Sequence, residues 1–205
     1  GAKVLGNNKD GIDFSLEDDY YGDTRFHIPF IAWYQVMNAS LALTTMEVLK
    51  DRIPVTMEQL QAGIANTRWQ GRMETILPGV SVDGAHNEDG VRRFVETAER
   101  FQKEYPLTLL FSAVNDKDYQ DMIHTICSRI KFRKVVTTEV GGYREVPSAE
   151  LAEIFCKEGC KDVGNSDNIE EAFHMAHEAK GEDGMLFCVG SLYLVGEIKT
   201  LLLKK

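Results

Sequence analysis

The sequence has no apolar run long enough to span a bilayer, and it does not open on the charged-then-apolar pattern of a secretory signal. It is also poor in positive charge: 23 Lys and Arg against 32 Asp and Glu leave a net charge of −9. That balance argues against a nucleic-acid or anionic-membrane surface as the main partner, because both require a basic footprint. It leaves room for a local basic pocket around a phosphate or a carboxylate. Cysteine is sparse. Cys127, Cys156, Cys160 and Cys188 lack the C-x-x-C pairing of a zinc site and read as small core residues in a reducing cytosol. No internal repeat or low-complexity tract is present. What remains is ordinary for a globular chain, with 43% hydrophobic and 27% charged residues. The 205 residues suffice for one full domain and part of another. A cytoplasmic location is expected.

Two regions differ in character. Residues 7–25 are polar and acidic, with one alternating run at 12–16 that reads as an edge strand, and residues 26–32 form a second strand candidate. The acidic residues 17–19 read as solvated surface. Val36, Ala39, Leu41, Leu43, Met46 and Leu49 are read as lying at helical spacing and predict a helix over 35–49. Thr56 with Gln59 three residues later has the capping-box pattern of a second helix reaching about residue 66. Strands and two helices that start abruptly read as the tail of a domain, and Gly1 as a tag remnant.

From Met73 onward strand and helix alternate. Strands are predicted at 73–77, 80–83, 107–114, 134–138, 161–163 and 185–189, and helices at about 88–105, 118–130, 148–157, 169–179 and 192–203. Short, nearly continuous apolar strands between amphipathic helices predict an α/β fold. The expected form is a Rossmann-like three-layer α/β/α arrangement with a mostly parallel sheet of about six strands.

In an open parallel sheet, ligands bind beyond the carboxyl ends of the strands. Two loops there carry chemistry. The first reads Asp83-Gly84-Ala85-His86-Asn87. Asp83 offers a carboxylate to a ribose diol or a cation, and His86, near a helix amino terminus, offers a donor to a carboxylate or phosphate. The same residues also read as a turn with Asn87 as helix cap. The second loop reads Gly190-Ser191-Leu192-Tyr193. Its backbone N–H groups and the Ser191 hydroxyl make an anion site, or Ser191 is an ordinary cap.

Taken in order, five segments resemble the folylpolyglutamate synthase/dihydrofolate synthase family of Mur-type amide ligases. They are Asn38-Ala39, Trp69-Gln70-Gly71-Arg72-Met73-Glu74, the Asp83 to Asn87 loop, Asp116-Lys117-Asp118, and Gly190-Ser191-Leu192-Tyr193-Leu194-Val195-Gly196-Glu197. The resemblance implies that residues 1–72 end a P-loop ATPase domain and that residues 73–205 form the Mur-ligase C-terminal, glutamate-ligase domain. It implies an ATP-dependent transfer of L-glutamate to folate or dihydropteroate through an acyl phosphate. ATP and Mg2+ are the implied cofactors, the partners are small molecules only, with no nucleic acid or membrane, and the enzyme is implied to be monomeric.

By the same resemblance Asn38 faces the nucleotide base, Arg72 reaches the nucleotide from the linker, and Asp83 binds the nucleotide from the second domain. His86 and Ser191 position the incoming glutamate. Lys117, Asp118 and Arg144 are further candidates without a specified role, and no catalytic residue or metal ligand is assigned. The sequence departs from the family pattern at Ala32 and Tyr34-Gln35, where Gly and His-Gln are usual, and at Gln70, where proline is usual. G-x-x-x-x-G-K-[ST] occurs nowhere in the 205 residues, so the phosphate loop and magnesium ligands are expected upstream. The alternatives are another Mur-type ligase acting on a cell-wall precursor, or a non-catalytic nucleotide-binding module.

Three other patterns are set aside. His174 and His177 share a predicted helix face but lack a third ligand. Cys156 and Cys160 flank a helix end at Gly159. The Gly141-Gly142-Tyr143-Arg144 loop does not open into a helix as G-x-G-x-x-G does, which argues against a dinucleotide dehydrogenase.

Overall fold

The computed structural model describes residues 1–8, 10–116, 118–142 and 145–203, so the candidates Lys117 and Arg144 lie outside the described residues. The chain divides into two compact units, Gly1–Gln70 and Gly71–Lys205.

In the first unit, β1 (Ala2–Asn8), β2 (Gly11–Leu16) and β3 (Phe26–Ile28) form an antiparallel sheet in that order. Ile12, Phe14 and Leu16 point into the core, as the alternation predicts. β2 is nevertheless the central strand and not an edge. Its outer neighbour β1 escaped the pattern because no residue of it is fully buried and a bulge between Val4 and Gly6 interrupts its register. β3 is shorter than the expected strand, because Pro29 has no N–H to extend the ladder. α1 (Trp33–Val48) and α2 (Met57–Ala65) follow, and Val36, Ala39, Leu43 and Leu60 close a core around Phe14 and Phe26. The expected capping box is present: the Thr56 hydroxyl accepts from Gln59 N, and the Gln59 side chain accepts from Thr56 N. The acidic segment at 17–19 is more than solvated surface, since Asp18 Oδ1 accepts from Tyr21 N at 2.9 Å and Tyr21 is buried.

The second unit holds β4 (Glu74–Leu77), β5 (Val80–Asp83), β6 (Leu107–Phe111), β7 (Phe132–Thr138), β8 (Val163–Ser166) and β9 (Met185–Val189) in one sheet of order β4-β5-β9-β6-β7-β8. Only the β4–β5 hairpin is antiparallel. Every residue of β5, β6 and β9 is buried, which explains their largely apolar character, broken only by Ser81, Asp83 and Thr108.

The helices are α3 (Glu88–Phe101), α4 (Tyr119–Arg129), α5 (Ser148–Lys157), α6 (Ile169–Lys180) and α7 (Leu192–Leu203). On one face, Val82, Leu110, Leu186 and Cys188 pack against Phe173 of α6 and Leu194 and Ile198 of α7. The intervening residues point to the other face. There Phe187 meets Phe94 and Phe101 of α3, Phe111 meets Phe155 of α5, and α4 packs between α3 and α5. The three-layer α/β/α arrangement is therefore as expected.

Some boundaries differ. β8 runs over Val163–Ser166 because an edge strand needs few apolar residues, and only Val163 signals it. α3 stops at Phe101, where Glu104 N and Tyr105 N both bond to the Phe101 carbonyl in a turn before Pro106. The cysteine expectation holds only for Cys188, which is buried. Cys156 is exposed, and Cys127 and Cys160 are half-buried with Sγ atoms 3.6 Å apart. Among the described residues no helix is long and apolar enough to cross a membrane.

Candidate functional site

The two motif loops leave neighbouring strands. Asp83 at the end of β5 pairs with Val189 at the end of β9, so the loops opening at Asp83 and Gly190 start side by side. From there α3 departs to one face of the sheet and α7 to the other. Such a divergence is the topological switch point where a crevice forms in open α/β sheets.

Asp83 is 4% exposed, and its carboxylate is engaged within the chain. Oδ2 accepts from Met73 N and Oδ1 from Ala85 N, each at 2.8 Å. Burial pushes its pKa up to about 6, outweighing the two backbone N–H groups and the nearby Arg72 charge, which favour the ionised form. The bond to Met73 has a local purpose. Met73 is buried with φ of 45°, a left-handed conformation that costs a side-chain-bearing residue about 1–2 kcal/mol. Gly71, two residues earlier, is also left-handed (φ 68°), and its carbonyl accepts from Gly84 N at 2.7 Å. Arg72, exposed, is thus carried between two left-handed residues that are both tied to the Asp83 loop.

His86 is half-buried, and its Nδ1 lies 2.7 Å from the Gly84 carbonyl oxygen. A carbonyl only accepts, so Nδ1 holds the proton, and in the neutral ring Nε2 is an acceptor. Asn87 caps α3 through Oδ1 to Gly90 N at 2.9 Å. A cleft of about 530 Å³ opens beside these residues, lined by His86, Glu88, Asp116, Asp118, Asp121 and His124 among others. Asp118, exposed, caps α4 by accepting from Asp121 N. The structure therefore brings Asp118 into the same cleft as His86.

Ser191 is 1% exposed, and its Oγ accepts from Tyr193 N at 3.1 Å in the first turn of α7. Gly190 has φ of 112°, and a Cβ there would overlap the Ser112 carbonyl oxygen. This loop can approach β6 only as glycine. Ser112 Oγ is buried and has no hydrogen-bond partner among the described residues.

Sequence reasoning passed over Glu74 and Lys199. Glu74 Oε2 accepts from Gly71 N at 2.8 Å, and Lys199 Nζ donates to Glu74 Oε1 and Oε2 at 2.7 and 3.0 Å. Glu74 sits inside the quoted linker motif, but nothing in the sequence links it to a lysine 125 positions away. Asn38 stands in the first unit, exposed on α1, where Nδ2 donates to Gln35 Oε1 at 2.9 Å. His174 Nε2 lies 3.9 Å from Glu170, and the His177 ring stacks on Phe173. Among the described residues no three His, Cys, Asp or Glu side chains are placed to hold a metal ion.

Comparison with known proteins adds the following. The model of the "Mur ligase, glutamate ligase domain" family matches residues 71–192. The dihydrofolate synthase/folylpolyglutamate synthase of Bacillus subtilis is 30% identical over 196 residues, covering 92% of this chain and 43% of that protein. A probable bifunctional folylpolyglutamate synthase/dihydropteroate synthase of Haloferax volcanii is 28% identical over 84% of this chain and 20% of its own length. Among solved structures, the folylpolyglutamate synthase of Thermotoga maritima superposes with a TM-score of 0.77 at 24% identity, over 98% of this chain and 46% of that one. That of Mycobacterium tuberculosis, complexed with ADP and AMPPCP, gives 0.74 at 24% identity, over 98% and 47%. The chain spans less than half the length of these relatives.

Proposed function

The chain belongs to the Mur ligase family through its glutamate ligase domain, and on that premise we propose that it is the glutamate-presenting part of an ATP-dependent folylpolyglutamate or dihydrofolate synthase. In this reading residues 1–72 end the ATPase domain and residues 73–205 form the ligase domain. ATP phosphorylates the carboxylate of dihydropteroate or the γ-carboxylate of a folate's glutamate tail. The amine of free L-glutamate then attacks the acyl phosphate, and an amide forms as phosphate leaves.

Each residue takes a role that its surroundings fit. Arg72 offers an exposed planar guanidinium to the nucleotide, and Asn38 serves the base side. Asp83 acts on the nucleotide side through the linker it holds, since both its oxygens already accept backbone N–H groups. His86, with Nδ1–H committed to Gly84, presents Nε2 as an acceptor. That atom suits the glutamate amine, which must keep its lone pair for attack and give up a proton. The amino terminus of α7 beside Ser191 suits a glutamate carboxylate. Asp118 shares the His86 cleft. Magnesium belongs to the proposed whole enzyme; no described residues are placed to hold it, so no step is assigned to a metal bound by this chain. The enzyme is proposed to be cytoplasmic and monomeric, acting on small molecules alone.

The observation that carries the reading is the meeting of the Asp83 and Gly190 loops at the switch point between β5 and β9. To test it, the full-length gene product is incubated with ATP, Mg2+, L-glutamate and either dihydropteroate or tetrahydrofolate. ADP release that requires both glutamate and the pteroyl compound is expected. Release that instead requires a cell-wall precursor would move the protein to another branch of the superfamily.

A further inference from the structure

We infer that Glu74 and Lys199 are positioning residues for Arg72, an inference that rests on the nucleotide role proposed for that arginine. The backbone around Arg72 is unusual, because the residues on both sides are left-handed and one of them is a methionine. Such a segment keeps its form only where its surroundings over-determine it. Three ties do so. Met73 N is held by Asp83, the Gly71 carbonyl by Gly84 N, and Gly71 N by Glu74 Oε2.

The third tie depends on the orientation of a side chain two residues beyond Arg72. Glu74 could turn to solvent, but Lys199 grips both of its oxygens from α7, at 2.7 and 3.0 Å. The pair is only partly exposed, with side-chain exposures of 26% for Lys199 and 23% for Glu74, so it is less screened than a surface ion pair. α7 is also the helix that Ser191 precedes, its Oγ accepting from Tyr193 N in the first turn. The Lys199–Glu74–Gly71 chain therefore couples the direction in which Arg72 leaves the backbone to the helix that begins at the Gly190 loop. Breaking it frees Gly71 N and lets a segment of left-handed residues relax, which moves the guanidinium without touching it.

The test is a double-mutant cycle in the full-length enzyme, read as KM for MgATP and kcat, with thermal unfolding followed in parallel. Glu74→Ala is expected to raise the nucleotide KM about 10-fold, since a misplacement of about 1 Å suffices for losses of that order. In an Arg72→Ala background the same change should add less than about 2-fold, because the residue it positions is gone. Lys199→Arg should keep KM within about 2-fold, whereas Lys199→Met should resemble Glu74→Ala. Reversing the pair, with Glu74→Lys and Lys199→Glu together, restores an ion pair but not the acceptor for Gly71 N. A purely stabilising pair would be rescued by that reversal, and a positioning pair would not. If Glu74→Ala leaves the nucleotide KM unchanged while Arg72→Ala raises it, this inference fails alone. An unchanged KM in Arg72→Ala overturns the reading of the arginine itself. Should Glu74→Ala fail to fold, Lys199→Met carries the same comparison.

Discussion

Asp83 reaches back 10 residues to hold the N–H of Met73, and Met73 is the one described residue other than glycine with positive φ. A buried carboxylate thus stabilises a backbone conformation that its own strand pairing does not require. Its titration has a defined sign. The pKa rises from 3.8 in the unfolded chain to about 6 in the folded one, so the folded state binds the proton more tightly. The contribution to stability is complete below about pH 4, declines as pH rises through about 6, and then levels off; the loss is of order 3 kcal/mol. Asp83→Asn is expected to flatten the dependence of unfolding free energy on pH across this window. Urea titrations at stepped pH check it, and parallel curves for both proteins would contradict the assignment.

Two glycines in the motif loops differ in what a methyl group would strike. At Gly190 it meets the Ser112 carbonyl in a left-handed backbone, so the backbone itself must move. Gly190→Ala should cost roughly 3 kcal/mol or more. At Gly84 it meets the Cδ2 end of Leu192, a side chain 56% exposed that can swing away. Gly84→Ala should cost about 1 kcal/mol, and Leu192→Ala should recover most of that. Denaturant unfolding of the three variants distinguishes the two kinds of glycine.

Cys127 and Cys160 face each other across the gap between α4 and the turn after α5. Oxidised glutathione should convert them to an intramolecular disulfide, the two thiols giving up their hydrogens as the small disulfide becomes two thiols. The bond would link residues 33 apart and stabilise by roughly 2–4 kcal/mol. A rise in Tm that dithiothreitol reverses and Cys127→Ser abolishes is expected, with the 127–160 cross-link identified by peptide mass spectrometry. Exposed Cys156 should yield only mixed disulfides.

The 205 residues by themselves contain no G-x-x-x-x-G-K-[ST] phosphate loop. They should release no folate-dependent ADP and should bind ATP weakly. Calorimetry with ATP and a coupled ADP assay on the purified chain check both. Folate-dependent turnover by these residues alone would overturn the division of labour proposed above.

Much of the second unit was legible because its strands are buried on both faces and its helices on one. β5, β9, α5 and α7 fall at the predicted bounds, since the short apolar strands end at Asp83 and just before Gly190 and the helices begin next to Pro147 and Ser191. β1 and β8 were hidden or shifted for the opposite reason: edge strands need few apolar residues, and their hydrogen bonds leave no trace in composition. The two motif loops were visible as motifs, but their geometry was not. The sequence showed Asp83 and His86 as polar groups at a strand end. It could not show that Asp83 turns inward to Met73, that His86 commits Nδ1 to Gly84, or that Lys199 holds Glu74. Each of these depends on where a side chain turns after the fold has formed.

The strand order bears on how the molecule is made. β9 is the last strand of the described sheet to leave the ribosome, yet it lies between β5 and β6, which emerge long before it. Until then the two earlier strands have no partner along their facing edges, and Phe94 and Phe101 lack the ring of Phe187 on which they pack. Closure of the sheet therefore waits until Met185–Val189 have been made, a long-range step of the kind that slows folding and exposes unpaired strand edges meanwhile. The same event brings the Gly190 loop beside Asp83, so the nascent chain acquires the proposed crevice and the packing of this sheet together.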